Sequence, residues 1–171
     1  KVYGDIDFSP EATAISGLTV SFSSLNTTVA TIIDGKIHIV GGGTSTITAS
    51  QAGNENYLAA SNVNQTLSVS KLNQTITFNA LPSKLISDID FSPGATSTSG
   101  LAIAYSSSNT DVATIVDGYI HIVGAGSSTI TASQSGNNIY NAAQNVEQTL
   151  SISKLNQTIN FGVLPIKLDS D

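Results

Sequence analysis

The sequence predicts an all-β chain built from two copies of one small β-sandwich, on three observations. Displaced by 83 positions the chain matches itself: Asp5-Ile-Asp-Phe-Ser-Pro10 falls on Asp88-Ile-Asp-Phe-Ser-Pro93, and 56 of 83 positions are identical with no gap. Short runs alternate polar and apolar residues, which is the period of a half-buried strand, and no run carries helical periodicity. Gly, Asn, Asp and Pro punctuate those runs where turns are needed. A period of 83 residues exceeds the roughly 20–50 residues of solenoid and propeller repeats and suits a domain with its own core.

Residues 71–153 form the one complete unit when it is begun at Lys71-Leu-Asn-Gln74. Gln74-Thr-Ile-Thr-Phe78 places Ile76 and Phe78 on one face of a first strand, and Leu81-Pro82 turns the chain. Residues 88–96 read as the next extended piece, with Ile89 and Phe91 inward and Asp88 and Asp90 outward. Beyond Gly100, the residues Leu101, Ile103 and Tyr105 line the inner face of a third strand, which ends at the Ser106-Ser-Ser-Asn109 turn. Residues 112–116 and 119–123 flank Asp117-Gly118, a pair suited to a type I′ hairpin because both central positions need positive φ. The pattern leaves the facing of residues 112–116 open. Gly124-Ala-Gly126 bends the chain, residues 128–133 turn Ile130 and Ala132 inward, and residues 148–153 close the unit with Leu150 and Ile152. The sum is about seven strands, as in a β-sandwich.

The repeat also sets the domain expectations. Residues 1–70 carry every strand except the first, residues 71–153 are complete, and residues 154–171 supply the first strand and turn of a following unit. The 1–70 unit is therefore expected to have an open sheet edge, and such an edge is a template for pairing. Ser70 runs through Lys71-Leu72-Asn73 into the next first strand with no Gly or Pro spacer, which predicts a stiffer joint than a Gly/Ser linker would give. Lys1 corresponds to Lys84 and Asp171 to Asp88, so both ends fall inside a repeat and a longer array is expected.

Composition narrows the classes. With no Cys there is neither a disulfide framework nor a thiolate metal site, and each small unit must stand on β packing alone. Charged residues make only 11% while Ser and Thr supply 44 of 171, a hydroxyl-rich surface unlike that of a charged cytosolic enzyme. The net charge of −6, with six Lys and no Arg, argues against a nucleic-acid partner, which needs clustered cations. No stretch is apolar enough to insert in a membrane, and no leader opens the sequence.

At Ser106-Ser-Ser-Asn109, Val112-Ala-Thr-Ile115 and Gly126-Ser-Ser-Thr-Ile-Thr-Ala132 the sequence resembles the bacterial Ig-like (Big) domain family. The first copy fits with Leu25 in place of the last Ser of the turn. The Asn-Gln-Thr-Ile-Thr-Phe opening and the loop from Gly136-Asn137 to Tyr140 look like the long arrays of secreted surface proteins of Gram-negative bacteria. The resemblance covers the whole chain. It implies tandem Ig-like sandwiches, an extracellular location at the bacterial cell surface or secreted, and a role as stalk or adhesion module with no catalytic residues. It names no ligand.

Candidate chemistry is sparse. Asp5 and Asp7, like Asp88 and Asp90, form a D-x-D pair in each unit; two carboxylates on one strand face supply some of the ligands of a calcium shell, which Asn73 or Asp169 would have to extend. The alternative, and the expectation favoured here, is solvated carboxylates that discourage edge pairing. His38 and His121 lie between inward isoleucines, so alternation puts them on the solvent face, without a local acid or nucleophile. Tyr57 and Tyr140 follow a Gly-Asn pair in the last long loop, either as ligand-binding aromatics that stack on a sugar or as plugs for the end of the sandwich. Asn26, Asn64, Asn73 and Asn156 head N-x-T sequons, read here as polar strand ends because the resemblance is bacterial.

The expected function is accordingly non-enzymatic. The first reading is a stalk that extends an adhesive tip, with neighbouring repeats as partners and no cofactor unless calcium binds. The alternatives are a carbohydrate- or surface-binding module, and self-association into a filament when the first strand at 156–161 completes the open edge of another molecule.

Overall fold

The structure, a computed structural model, describes residues 1–164. Among the described residues there is no helix. The chain divides into two compact units: residues 1–78, 94–104 and 132–146 make one, and residues 79–93, 105–131 and 147 onward make the other. The expected turn of a following unit falls largely at 165–171, outside the described residues.

The first unit contains the whole of the first repeat, with strands β1 (Ser21–Ser24), β2 (Ala30–Ile33), β3 (Lys36–Ile39), β4 (Gly43–Ser50) and β5 (Val63–Val69). Strands β1, β4 and β5 form an antiparallel sheet in that order, with Phe22 opposite Ala49 and Ile47 opposite Gln65. Strands β2 and β3 form a hairpin closed by Asp34 and Gly35 at φ 49° and 73°, both left-handed as the Asp-Gly pair requires. Phe8 joins the hairpin's edge, exchanging hydrogen bonds with Ile37 at 3.2 and 2.8 Å. The two layers face each other across the core. Ala30 and Ile37 of the hairpin pack with Ile47 of β4, and Val29 and Ile39 with Val69 of β5, with Phe8 and Leu67 against both groups. This is a β-sandwich, and its core is what period-2 alternation in β3 and β4 selects.

One buried hydroxyl fixes the corner between the layers. Ser45, 3% exposed, hydrogen-bonds Ser24 Oγ at 2.8 Å and accepts from the Asn26 N–H at 2.9 Å. Its equivalent Ser128 meets Ser107 Oγ at 2.7 Å and accepts from the Asn109 N–H at 3.0 Å. The turn motif is thus held by a serine some twenty residues downstream, which satisfies polar groups that burial would otherwise orphan.

The second repeat has strands β6 (Ile76–Thr77), β7 (Lys84–Leu85), β8 (Thr96–Ser97), β9 (Ala104–Ser107), β10 (Ala113–Val116), β11 (Tyr119–Ile122), β12 (Gly126–Ser133) and β13 (Val146–Ser153). Strands β7, β13, β12 and β9 make one sheet in that order, and β10 and β11 a hairpin with Asp117 and Gly118 at φ 50° and 80°. Ile120, Ile130 and Leu150 are fully buried. Within the first unit, β6 pairs antiparallel with β8, Ile76 opposite Ser97, and the alternation of the first strand appears as expected: Gln74, Ile76 and Phe78 are buried and the residues between them exposed.

Two expectations are corrected. The D-x-D segment is not an alternating strand. Phe91 turns inward through a bridge to Ile120, but Ile89 is 84% exposed and its equivalent Ile6 is 86% exposed. The cause is local: the chain is still leaving a turn, with the Asp88 N–H bonded to the Leu85 carbonyl at 3.0 Å, so period 2 does not apply. The second correction is β7, a strand absent from the sequence reading. Two residues long, it pairs parallel with β13, Ile152 opposite Lys84, and is too short to show alternation. Lys84 also lays its ammonium 4.7 Å from the centre of the Phe91 ring, as Lys1 does 4.3 Å from Phe8.

Candidate functional site: the joint and an unfilled groove

The connection from Ser70 into β6 is not free-running. Leu72 bridges to the loop before β13: its N–H bonds the Ile139 carbonyl and its carbonyl accepts from the Asn141 N–H, both at 2.8 Å. Lys71 Nζ donates to the Asn137 carbonyl at 2.6 Å, and Asn141 Nδ2 donates to Asn73 Oδ1 at 2.8 Å. The first repeat reaches the same loop from the bend between β3 and β4, where the Gly42 N–H bonds the Asn138 carbonyl at 2.7 Å. A Cβ at Gly42 would overlap the Lys71 side chain, and one at Gly41 would lie 2.7 Å from the Thr28 carbonyl oxygen. Close approach of the Thr28 backbone selects glycine at Gly41, and the packed Lys71 side chain leaves no room for a Cβ at Gly42. The loop itself is rigidly made: Asn137 Oδ1 accepts from the N–H groups of Ile139 and Tyr140 at 2.8 and 2.9 Å, and Asn54 does the same for Asn56 and Tyr57.

A second feature lies on the first repeat. A groove of about 470 Å³ runs between β1, β4 and β5 on one side and residues 10–14 on the other, floored by Val20, Phe22, Ile47, Ala49, Val63 and Leu67. The same position in the second repeat is where residues 74–78 sit. Ala132 and Val146 are buried and half-buried there, whereas their counterparts Ala49 and Val63 are half-buried and 58% exposed. The Gln74 amide anchors the strand in that place: Nε2 donates to Gln134 Oε1 at 2.8 Å and to the Asn141 carbonyl at 2.7 Å, while Oε1 accepts from the Ser99 hydroxyl.

Within each D-x-D pair nominated by the sequence, the two carboxylates do different things. Asp5 and Asp88 accept from the N–H groups of Val2 and Leu85, at 3.2 and 3.0 Å, capping a turn. Asp7 and Asp90 pair with His38 Nδ1 and His121 Nδ1 at 2.8 and 2.9 Å, with all four side chains about half exposed. Sequence reasoning missed this acid because it lies 31 residues away. Among the described residues, no three His, Cys, Asp or Glu side chains come together as a set that could hold a metal ion. Tyr57 is 49% exposed, and Tyr140 is less exposed where its loop meets Leu72. Three sequon asparagines make polar contacts through Oδ1, which accepts from Thr28 at Asn26, from Thr48 at Asn64 and from Asn141 at Asn73.

The groups present can bind backbone and order a connection; no nucleophile is placed at either His–Asp pair by the contacts described.

No family profile matches the chain, and no curated protein sequence does. Among solved structures it is similar to domains 1–6 of the surface layer protein SbsC at 17% identity and a TM-score of 0.37, covering 84% of this chain and 21% of that one. Domains 4–9 of the same protein match at 17% and 0.37, covering 90% and 25%. Drosophila N-cadherin EC1-4 matches at 11% identity and a TM-score of 0.33, covering 79% and 41%. The chain thus spans about a quarter or less of the surface-layer fragments. Likeness this distant carries no functional argument, and the all-β sandwich rests on the strands and core described above.

Proposed function

We propose that the chain is a non-enzymatic structural repeat, a spacer segment of an extracellular surface-anchored or secreted bacterial protein of Big-domain type, which extends and presents other domains. The observation that carries this reading is the joint. The linker 71–73 is bonded along its length to the loop 137–141, and that loop is bonded in turn to Gly42 of the preceding repeat. A chain meant only to tether would leave its linker solvated and free to bend. Here Lys71, Leu72 and Asn73 each commit a hydrogen bond to the neighbouring loop. Stacking units through such joints gives reach, and repetition multiplies any weak surface contact into avidity.

The test is small-angle scattering on fusions carrying increasing numbers of residues 71–153. Maximum dimension should grow in proportion to repeat number. Growth that flattens toward the square root of repeat number, as for freely jointed beads, would refute the spacer reading. A ligand-binding alternative draws on the half-exposed Tyr57 ring. Glycan-array binding that is lost on Tyr57→Ala would favour that reading, and a clean negative would remove it.

A further inference from the structure

We propose that one residue, the middle one of the Gly-x-Gly bend between β3 and β4 or between β11 and β12, decides how firmly a repeat grips its successor. Glycine, as at Gly42, makes a locked joint, and alanine, as at Ala125, a looser one. The inference rests on the spacer reading, in which one repeat follows another.

The two bends are made alike. The Val29 carbonyl accepts from the N–H groups of Val40 and Gly41 at 2.9 and 3.2 Å, and the Val112 carbonyl from those of Val123 and Gly124 at 2.9 and 3.1 Å. The outer glycines answer to their own repeat. A Cβ at Gly41 would lie 2.7 Å from the Thr28 carbonyl oxygen, and one at Gly124 would overlap that of Asp111. Gly43 and Gly126 have positive φ, 134° and 148°, and a Cβ there would lie 3.0 and 2.9 Å from a methyl of Val29 and of Val112. These four positions are glycine in both copies for the same internal reasons.

The middle position differs in kind. Gly42 has no positive φ, so its own backbone admits a side chain. What excludes one is the start of the next repeat: a Cβ would overlap Lys71 Cγ and crowd the Lys71 nitrogen and Cα at 3.1 and 3.2 Å. The second repeat carries Ala125 here in the same kind of bend. The one bend position that differs between the copies is therefore the one whose size is limited by the neighbour alone. An alanine in it has to push the Lys71 stem aside. That draws Nζ from the Asn137 carbonyl, now 2.6 Å away, and lengthens the 2.7 Å bond from the residue-42 N–H to the Asn138 carbonyl. The bonds of Leu72 and Asn73 to residues 139–141 do not involve the bend, so the joint loosens without coming free. The partner that the bend reads is thus the lysine of a following Lys-Leu-Asn segment, and an array of such repeats carries its stiffness joint by joint in this one residue.

Amide hydrogen exchange on the 171-residue chain tests it. The second repeat folds with alanine at this position, so Gly42→Ala is expected to fold. Measured against the rate of an unbonded amide of the same residue, exchange of the residue-42 N–H should then quicken by on the order of tenfold. The Val40 N–H, bonded inside its own repeat, should keep its protection. Lys71→Ala removes the obstructing stem, and in that background Gly42→Ala should be nearly silent at residue 42, a coupling that independent sites do not show. Ala125→Gly should leave both amides as they are. Equal protection of residue 42 with glycine and with alanine overturns the inference and leaves the spacer reading standing, and so does a Gly42→Ala effect of the same size with and without the Lys71 side chain. An unprotected Gly42 N–H in the unaltered chain overturns both.

Discussion

The two repeats carry nearly the same core residues and do not bury them equally. Ile130 and Leu150 are sealed at 0% exposure, while Ile47 retains 6% and Leu67 is only half-buried; Ala132 is at 0% and Ala49 is half-buried. The same contrast holds between two copies of one peptide. Ile76 and Phe78 are 9% and 5% exposed beside β8, whereas Ile159 and Phe161, in the same motif, stand in solvent. Composition is constant across both comparisons. A two-residue strand such as β6 therefore owes its existence to the edge it meets rather than to its own propensity.

That contrast can be broken by mutation. The largest effect is expected for Phe78→Ala, which should cost about 3–5 kcal/mol for removing a buried aromatic, while Phe161→Ala leaves stability of the dilute chain unchanged. Urea unfolding of both variants measures the difference, and equal losses would show that the buried strand contributes nothing special. Leu150→Ala against Leu67→Ala comes next. The sealed site should lose about 3–5 kcal/mol and the half-buried one about 2 kcal/mol, because less surface leaves water at Leu67.

Gly53→Ala and Gly136→Ala sharpen the comparison by removing it. Both glycines are left-handed, at φ 76° and 75°, and a Cβ at either would overlap the carbonyl oxygen of Tyr57 or Tyr140. Each should cost at least about 1–2 kcal/mol from the backbone alone, and the two losses should agree, since both loops are made the same way. Smallest are Asp7→Asn and Asp90→Asn. The exposed His–Asp pairs are worth about 0–1 kcal/mol, equally in both repeats and less at high salt. Thermal melting with and without chelator belongs beside them: the melting temperature should not move, because Asp5 and Asp88 cap turns and Asp7 and Asp90 face histidines. A calcium-dependent rise would make the D-x-D pairs metal ligands.

Much of the fold was legible because its signals are local. The Asp34-Gly35 and Asp117-Gly118 hairpins follow from positive φ, and the inward faces of β12 and β13 from alternation. Apart from one local turn, what stayed hidden lies far apart in sequence. Ile89 alternates correctly with Phe91 in sequence, yet it lies in a turn whose hydrogen bonds ignore period 2. The His121–Asp90 pair spans 31 residues, and Ser128 holds a turn 19 residues before it at Asn109. The joint was expected from the missing spacer. Its agents, Gly42 and the carbonyls of Asn137 and Asn138, bind through backbone and leave little trace in side-chain pattern.

The short strand β7 has a consequence for a molecule under tension. It enters the second repeat near its start and lies parallel to β13, which leaves it, with the Ile86 N–H bonded to the Ser153 carbonyl at 3.0 Å. In the first repeat Val2 and Ser70 meet in the same parallel sense. A force applied to the two ends of a parallel pair slides the strands along each other and loads their hydrogen bonds together. Pulled as a hairpin, the same bonds would break singly, in succession. In each repeat, a pull between these two segments would load their bonds in shear, all at once, rather than one after another.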